Sequence, residues 1–225
     1  RVTLLRSLPA LALLVILAAP YWPRQIDDQF ITLAFAWEWA ERGRIAWTTG
    51  EVVEGFSSFT QLALGAGAFA TGMDANLLVK RLALGSGLAV LLLGGLRLPA
   101  GGGVLLVALA VWQPLAAWSG LGLEMTLFAF LISLAWMEVG RPTRSWIAPV
   151  VFLVAAFTRP EGNGHLVAGL LARAVLSRRV DGWAIGSVLG WLALHGWRVA
   201  TFGHLLPTPF LVKVQVPFDP WRSAG

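Results

Sequence analysis

The strongest constraint on this chain is a run pattern. Long apolar stretches follow one another almost from end to end, broken only by short clusters of charge, proline or glycine. Apolar runs occupy residues 8–22, 59–73, 77–98, 104–118, 123–139, 147–158, 166–176 and 183–202. The punctuation between them includes Pro99 with Gly101–Gly103, Arg141-Pro142, Arg159-Pro160 and Asp181-Gly182, residues that stop helices and turn the chain. A span of a bilayer needs about 20 largely apolar residues, and several of these runs approach that length. With 57% hydrophobic and only 13% charged residues, the chain lies far from the roughly one-quarter charge of a soluble domain. It is expected to be all-α: a polytopic transmembrane helix bundle, read as one domain over 1–225.

Composition removes several function classes. With no cysteine, a disulfide scaffold, a zinc–thiolate site and thiol catalysis are excluded. The net charge of +5 comes from 17 Lys+Arg against 12 Asp+Glu, but the cations are scattered, so no nucleic-acid partner is expected. A modest basic excess fits cytoplasmic loops obeying the positive-inside rule. Arg1 and Arg6 then place the N-terminus inside, and Arg141 with Arg144, and Arg173 with Arg178 and Arg179, mark two further inside loops. A secretory signal peptide competes for the first run, although no small-residue cleavage site follows it. Starting at Arg1 and closing on residues 217–225, the sequence reads as an N-terminal piece of a longer protein.

The polar interval 24–59 falls outside under this scheme. Within it, residues 29–42 read as a helix, because Phe30, Leu33, Ala34 and Trp37 recur at helical spacing and Gly43 supplies a stop. At that length it is expected to lie along the membrane surface. Residues 158–163, 123–124 and 204–209 are placed on the same side. Glu124 is ambiguous: three full spans between the outer loop and Glu124 would put it inside, whereas one half-span or re-entrant segment would put it outside.

Scarce charge makes the exceptions informative. Asp27-Asp28 opens the surface helix. One reading is an N-cap; the other is a general base tuned by its neighbour, or a pair of oxygen ligands for a divalent cation. Glu54, in the segment Gly50-Glu51-Val52-Val53-Glu54-Gly55-Phe56-Ser57-Ser58, is either a solvated turn carboxylate or an ionisable group at membrane depth. Arg159 and Glu161, in Thr158-Arg159-Pro160-Glu161-Gly162, are an interfacial ion pair or an arginine fork for phosphate. Glu124 is a lone charge in a long apolar region. His204 and Lys213 add cationic groups further on. His195 and Arg198 fall inside an apolar run, where a histidine more often serves packing than ligation.

In their order, Asp27-Asp28-Gln29-Phe30-Ile31, Gly50 to Phe59 with its Glu-Gly-Phe-Ser-Ser core, Gly122-Leu123-Glu124, Thr158-Arg159-Pro160-Glu161-Gly162 and Leu206-Pro207-Thr208 with Lys213 resemble the N-terminal half of polyprenyl-phosphate-dependent GT-C glycosyltransferases. The similarity is greatest to the actinobacterial terminal β-(1→2) arabinofuranosyltransferases and their relatives. It runs from about residue 19 to residue 213, and the Asp pair with Glu-Gly-Phe-Ser-Ser is its specific part. Gln29 departs from the aromatic or Ala found there in relatives, and Pro207-Thr208 lacks an intervening Asn.

The resemblance implies a GT-C-like bundle whose loop 24–59 is catalytic. Its site would face the outer side of a bacterial plasma membrane. The donor would be a polyprenyl-phosphate-linked sugar, such as arabinofuranose or mannose, and the acceptor a glycan, lipid or protein hydroxyl. Asp27 or Asp28 would be the base. Glu54, Glu124 and Glu161 would bind substrate, with Arg159, His204 and Lys213 meeting the phosphate. No cofactor is required by it; a divalent cation at the Asp pair stays the alternative reading of those two carboxylates. The alternative reading is a transporter or flippase-like protein with Glu54, Glu124 and Arg159 lining a pathway.

Overall fold

The computed structural model describes residues 2–47, 52–140 and 146–215. These form helices and connecting turns, with no strand among the described residues. Helices α1 (Val2–Ala18), α4 (Ala75–Arg97), α5 (Gly103–Val111), α6 (Gln113–Leu121), α7 (Met125–Val139), α8 (Ile147–Thr158), α9 (Gly162–Ser177) and α10 (Gly182–Phe202) run lengthwise. Helices α2 (Asp27–Arg42) and α3 (Phe59–Ala70) form a hairpin at one end, and α11 (Thr208–Gln215) follows.

The direction of each helix follows from its contacts. Helices α1 and α4 are antiparallel: Ser7 packs on Gly95, Leu14 on Gly87, and Lys80 reaches the backbone just past α1. Helices α5 and α6 return alongside, with Leu106 against Gly94 and Ser119 against Gly87. Helix α7 runs back beside α4, from a Thr126–Ala83 hydrogen bond to an Arg97–Glu138 pair at 3.8 Å. Helix α8 returns with Ala148, Phe152 and Ala156 packed on Ala135 and Val139. Helix α9 descends from Gly162, pressed on the backbone of Ala155, and α10 rises again. One end of the bundle therefore collects Asp27, Asp28, Lys80, Glu124 and Arg159, and the far end collects Arg97, Glu138, Arg178 and Arg179.

Two expectations change. The run 59–73 is not a lengthwise helix. Its α3 has only 12 residues, about 18 Å, and lies antiparallel on α2, with Leu62 and Ala66 packed on Phe35 and Ala36. The run 104–118 is two helices bent by 61°, because Pro114 near the start of α6 lacks the N–H that would continue α5. Together these place Glu124 at the Asp28 end. Among the described residues one helix, Ala75–Arg97, is by itself long and apolar enough to cross a membrane, and the bent pair qualifies if taken as one span. The surface helix starts two residues earlier than expected, at Asp27, and stops at Gly43, whose φ of 67° ends it with an N–H to Trp39 carbonyl bond.

Candidate functional site

Asp27 and Asp28 do not cap α2. Its N-cap is Ile26, with no side-chain bond, and the two carboxylates occupy the first turn. There they are exposed and favoured by the positive end of the helix dipole. The corner that delivers them is fixed from below. Lys80 on α4 is 5% exposed and its ammonium donates to the carbonyls of Trp22 at 2.6 Å and Arg24 at 2.8 Å. Gln29, fully buried, donates to Asn76 Oδ1 at 2.7 Å.

Glu124 arrives on the turn between α6 and α7. Gly122 has φ +84°, and a Cβ there would lie 2.7 Å from Lys80 Cγ and 3.2 Å from Gln29 Nε2. Only glycine meets both demands, the left-handed backbone and the missing space. Gln61 on α3 holds the same turn, donating to the Gly122 carbonyl at 3.1 Å. A cavity of about 10 Å³ lies among Gln61, Val79, Ala83, Gly122, Glu124 and Leu127, room for about one water, and the buried Gln61 Oε1 has no protein partner.

Arg159 closes the cluster. It follows α8, whose last residue, Thr158, donates to the carbonyl of Val154 at 2.7 Å and shares a second hydrogen bond with the Thr60 hydroxyl at 3.0 Å. Arg159 Nη1 donates to Glu124 at 2.8 Å, while Nε and Nη2 donate to the two oxygens of Glu161 at 3.2 and 3.0 Å. Burial pushes the Glu124 carboxyl up from its ordinary range. The Arg159 charge opposes that shift, and the nearby Asp28 carboxylate adds to it. Burial disfavours the Arg159 charge, but Glu161 and Glu124 outweigh it, so its pKa is held above the usual arginine value. Glu124 therefore lies at the same end of the bundle as Asp28. The site is thus one guanidinium with both edges used, on Glu124 and on Glu161, with Asp28 close enough to Glu124 to act on its charge.

Glu54 lies elsewhere. Its side chain is 1% exposed and accepts from Arg198 Nε at 2.7 Å, and its Oε2 is buried without a partner. Phe56 packs between Phe35 and Phe202, with centroids 5.4 and 6.3 Å away. Segment 52–58 is therefore strapped to α10, and Ser58 at its end caps α3 by accepting from Gln61 N–H at 3.2 Å. Burial pushes the Glu54 carboxyl up against the lowering effect of Arg198. His195 packs as expected, sharing a hydrogen bond with the Trp191 carbonyl at 3.0 Å and lying 4.4 Å from the Trp191 ring. His204 is exposed just past α10. Lys213 lies on α11, but its side chain, like Glu51, Arg141 and Arg144, is outside the described residues.

Gln61 and Lys80 were not among the residues the sequence singled out, and Gly122 was named only as part of its motif. A Gln and a Lys inside apolar runs were the available signal, since buried polar groups need partners. Arg198 was noticed without its partner. Among the described residues no three carboxylates or imidazoles converge as a metal site. No family model matches the chain, and neither a curated protein nor a solved structure matches it.

Proposed function

We propose that the chain is the catalytic part of a membrane glycosyltransferase that moves a sugar from a polyprenyl phosphate to an acceptor hydroxyl, with Asp28 as base. The observation that carries this reading is the Glu124–Arg159 pair, drawn from distant parts of a charge-poor chain to the end of the helix bundle where the exposed Asp28 acts on the charge of Glu124. A membrane setting is supported by the apolar surface of the bundle. Val104 is 76% exposed, Val175 75% and Leu189 60%, a density that soluble monomers rarely display. The far end carries Arg97, Arg178 and Arg179, which by the positive-inside rule sets the acidic end outside.

In this reaction Asp28 takes the proton of the acceptor hydroxyl. The oxygen attacks the anomeric carbon as the bond from that carbon to the phosphate oxygen breaks, and its electron pair leaves on the polyprenyl phosphate. Oxocarbenium character develops on the sugar. Glu124, held by Arg159, lines the Gln61 crevice, a position suited to a sugar hydroxyl. Arg159 can meet the phosphate by exchanging Glu161, whose side chain is 55% exposed. His204 and Lys213 supply further cations in this scheme, because the cluster around Arg159 is acidic overall. A divalent cation at Asp27 and Asp28 would take its remaining oxygens from donor phosphate and water. Transfer of labelled arabinofuranose or mannose from a synthetic polyprenyl phosphate to a glycan acceptor tests the reading. Full activity in Asp28→Asn would overturn it.

A second reading, transport, draws on the 61° break between α5 and α6, since broken helices line many transporter sites. Uptake into vesicles without any sugar transfer would favour it.

A further inference from the structure

At the far end of the bundle, α9 and α10 lean apart across α8. They are joined near the site end by Trp191 Nε1 donating to Asn163 Oδ1 at 2.8 Å. They are joined again at the far end, where Arg173 donates to Asp181 through Nε at 2.8 Å and Nη2 at 2.6 Å. Between these two ties lies a cavity of about 300 Å³ walled by Leu170, Leu171, Ala174, Ile185, Val188 and Leu189, with Arg173, Arg179 and Asp181 at its end.

Asp181 is already committed. It caps α10 by accepting from Ala184 N–H at 2.9 Å and neutralises Arg173. Arg178 and Arg179 are not committed in that way: both are exposed, and no acidic side chain pairs with either among the described residues. Their backbone is set by two local bonds. Arg178, at φ 51° as the C-cap of α9, donates its N–H to the Val175 carbonyl at 3.4 Å, and Ser177 Oγ donates to the Arg179 carbonyl at 2.9 Å. An apolar slot therefore opens beside the unneutralised guanidinium of Arg179, with the exposed Arg178 next to it in the chain.

The slot is apolar along its walls and carries guanidinium charge at its far end, where Asp181 is already neutralised by Arg173. An occupant with an apolar chain and an anionic head matches both features. Resting on the membrane reading above, we propose that this groove holds one acyl chain of an anionic phospholipid, whose phosphate lies against Arg178 and Arg179. Basic pockets between helices on the cytoplasmic side of a membrane bind anionic headgroups in this way.

The full chain is reconstituted into vesicles of equimolar phosphatidylcholine and phosphatidylglycerol, each in turn spin-labelled on its acyl chain. The immobilised fraction is read by electron spin resonance. Phosphatidylglycerol is expected to be preferred by about fivefold per arginine. Arg178→Gln with Arg179→Gln removes the preference. Ala174→Phe, which keeps both arginines but fills the slot, lowers the immobilised phosphatidylglycerol fraction, and Leu189→Trp does the same from the opposite wall. Equal affinity for the two lipids in the wild type overturns the proposal. So does an immobilised fraction unchanged by both filled-slot variants, which would mean diffuse headgroup attraction. Alkaline extraction of the same vesicles separates the two levels: a chain released into solution removes the membrane reading itself, whereas a retained chain without lipid preference removes only the lipid site.

Discussion

The Glu54–Arg198 pair offers a quantitative test, because its two members come from positions 144 residues apart and have side chains only 1% and 7% exposed. Replacing Arg198 by Met leaves a buried carboxylate without its cation, a change that costs about 3–5 kcal/mol. At roughly 2–4 °C per kcal/mol for a chain of this size, thermal unfolding in detergent should fall by about 10 °C. Glu54→Leu alone strands the guanidinium and should cost a similar amount. The double variant replaces the pair by apolar groups of similar bulk and should lose much less than the sum of the two, giving a coupling of about 3 kcal/mol. The pH dependence follows from the direction of the shift. Burial already raises the Glu54 pKa, and loss of Arg198 raises it further. The folded Arg198→Met variant then holds the proton more tightly than the unfolded chain, whose Glu titrates near 4.3. That contribution is complete below about pH 4.3 and disappears as pH rises through the folded value. The deficit of Arg198→Met should therefore shrink as the solution is acidified. Additive losses, or a deficit independent of pH, would refute the buried pair.

Four further outcomes follow from the site. Gly122→Ala forces a side chain into a left-handed backbone against Lys80 and Gln29, at ~1–2 kcal/mol for the conformation and ~1–3 for crowding. It should lower thermal stability by several degrees and reduce transfer with it. Lys80→Met strands the carbonyls of Trp22 and Arg24; at ~1.5–3 kcal/mol for bonds to a charged donor, it should show as a lower Tm and weaker transfer through displaced Asp27 and Asp28. Ser58→Ala removes the cap of α3, about 1 kcal/mol, seen as a Tm lower by a few degrees. Glu124 is shifted upward, so wild-type stability should decline from about pH 4.3 up through its raised folded value. Glu124→Gln should remove that part of the slope in a pH series of unfolding midpoints.

Much of the helix layout was legible because apolar runs and their punctuation report burial and chain reversal directly. Helices α4, α8 and α10 fall almost where the runs 77–98, 147–158 and 183–202 end. Hydropathy failed where conformation outweighs composition. Pro114 breaks the run 104–118 through its missing donor, and the run 59–73 is apolar because α3 covers α2, not because it extends lengthwise. Asp27, Asp28, Glu124 and Arg159 stood out as rare charges, and Glu124 could be placed only once α3 was seen to leave the lengthwise set. The partners of Glu54 and Gly122 were hidden for another reason. Pairings across 144 residues arise from packing, and one sequence carries no record of which buried charges meet.

The central claim is that Asp28 removes the acceptor proton beside the Glu124–Arg159 pair. Its most direct test is the transfer rate of purified Asp28→Asn with a labelled polyprenyl-phosphate sugar, compared with wild type at equal folded protein. A general base contributes about 10²–10⁴-fold, so the variant should lose transfer by that factor while its Tm stays within a few degrees. A folded Asp28→Asn protein that transfers sugar within about twofold of wild type, far inside that range, would contradict it.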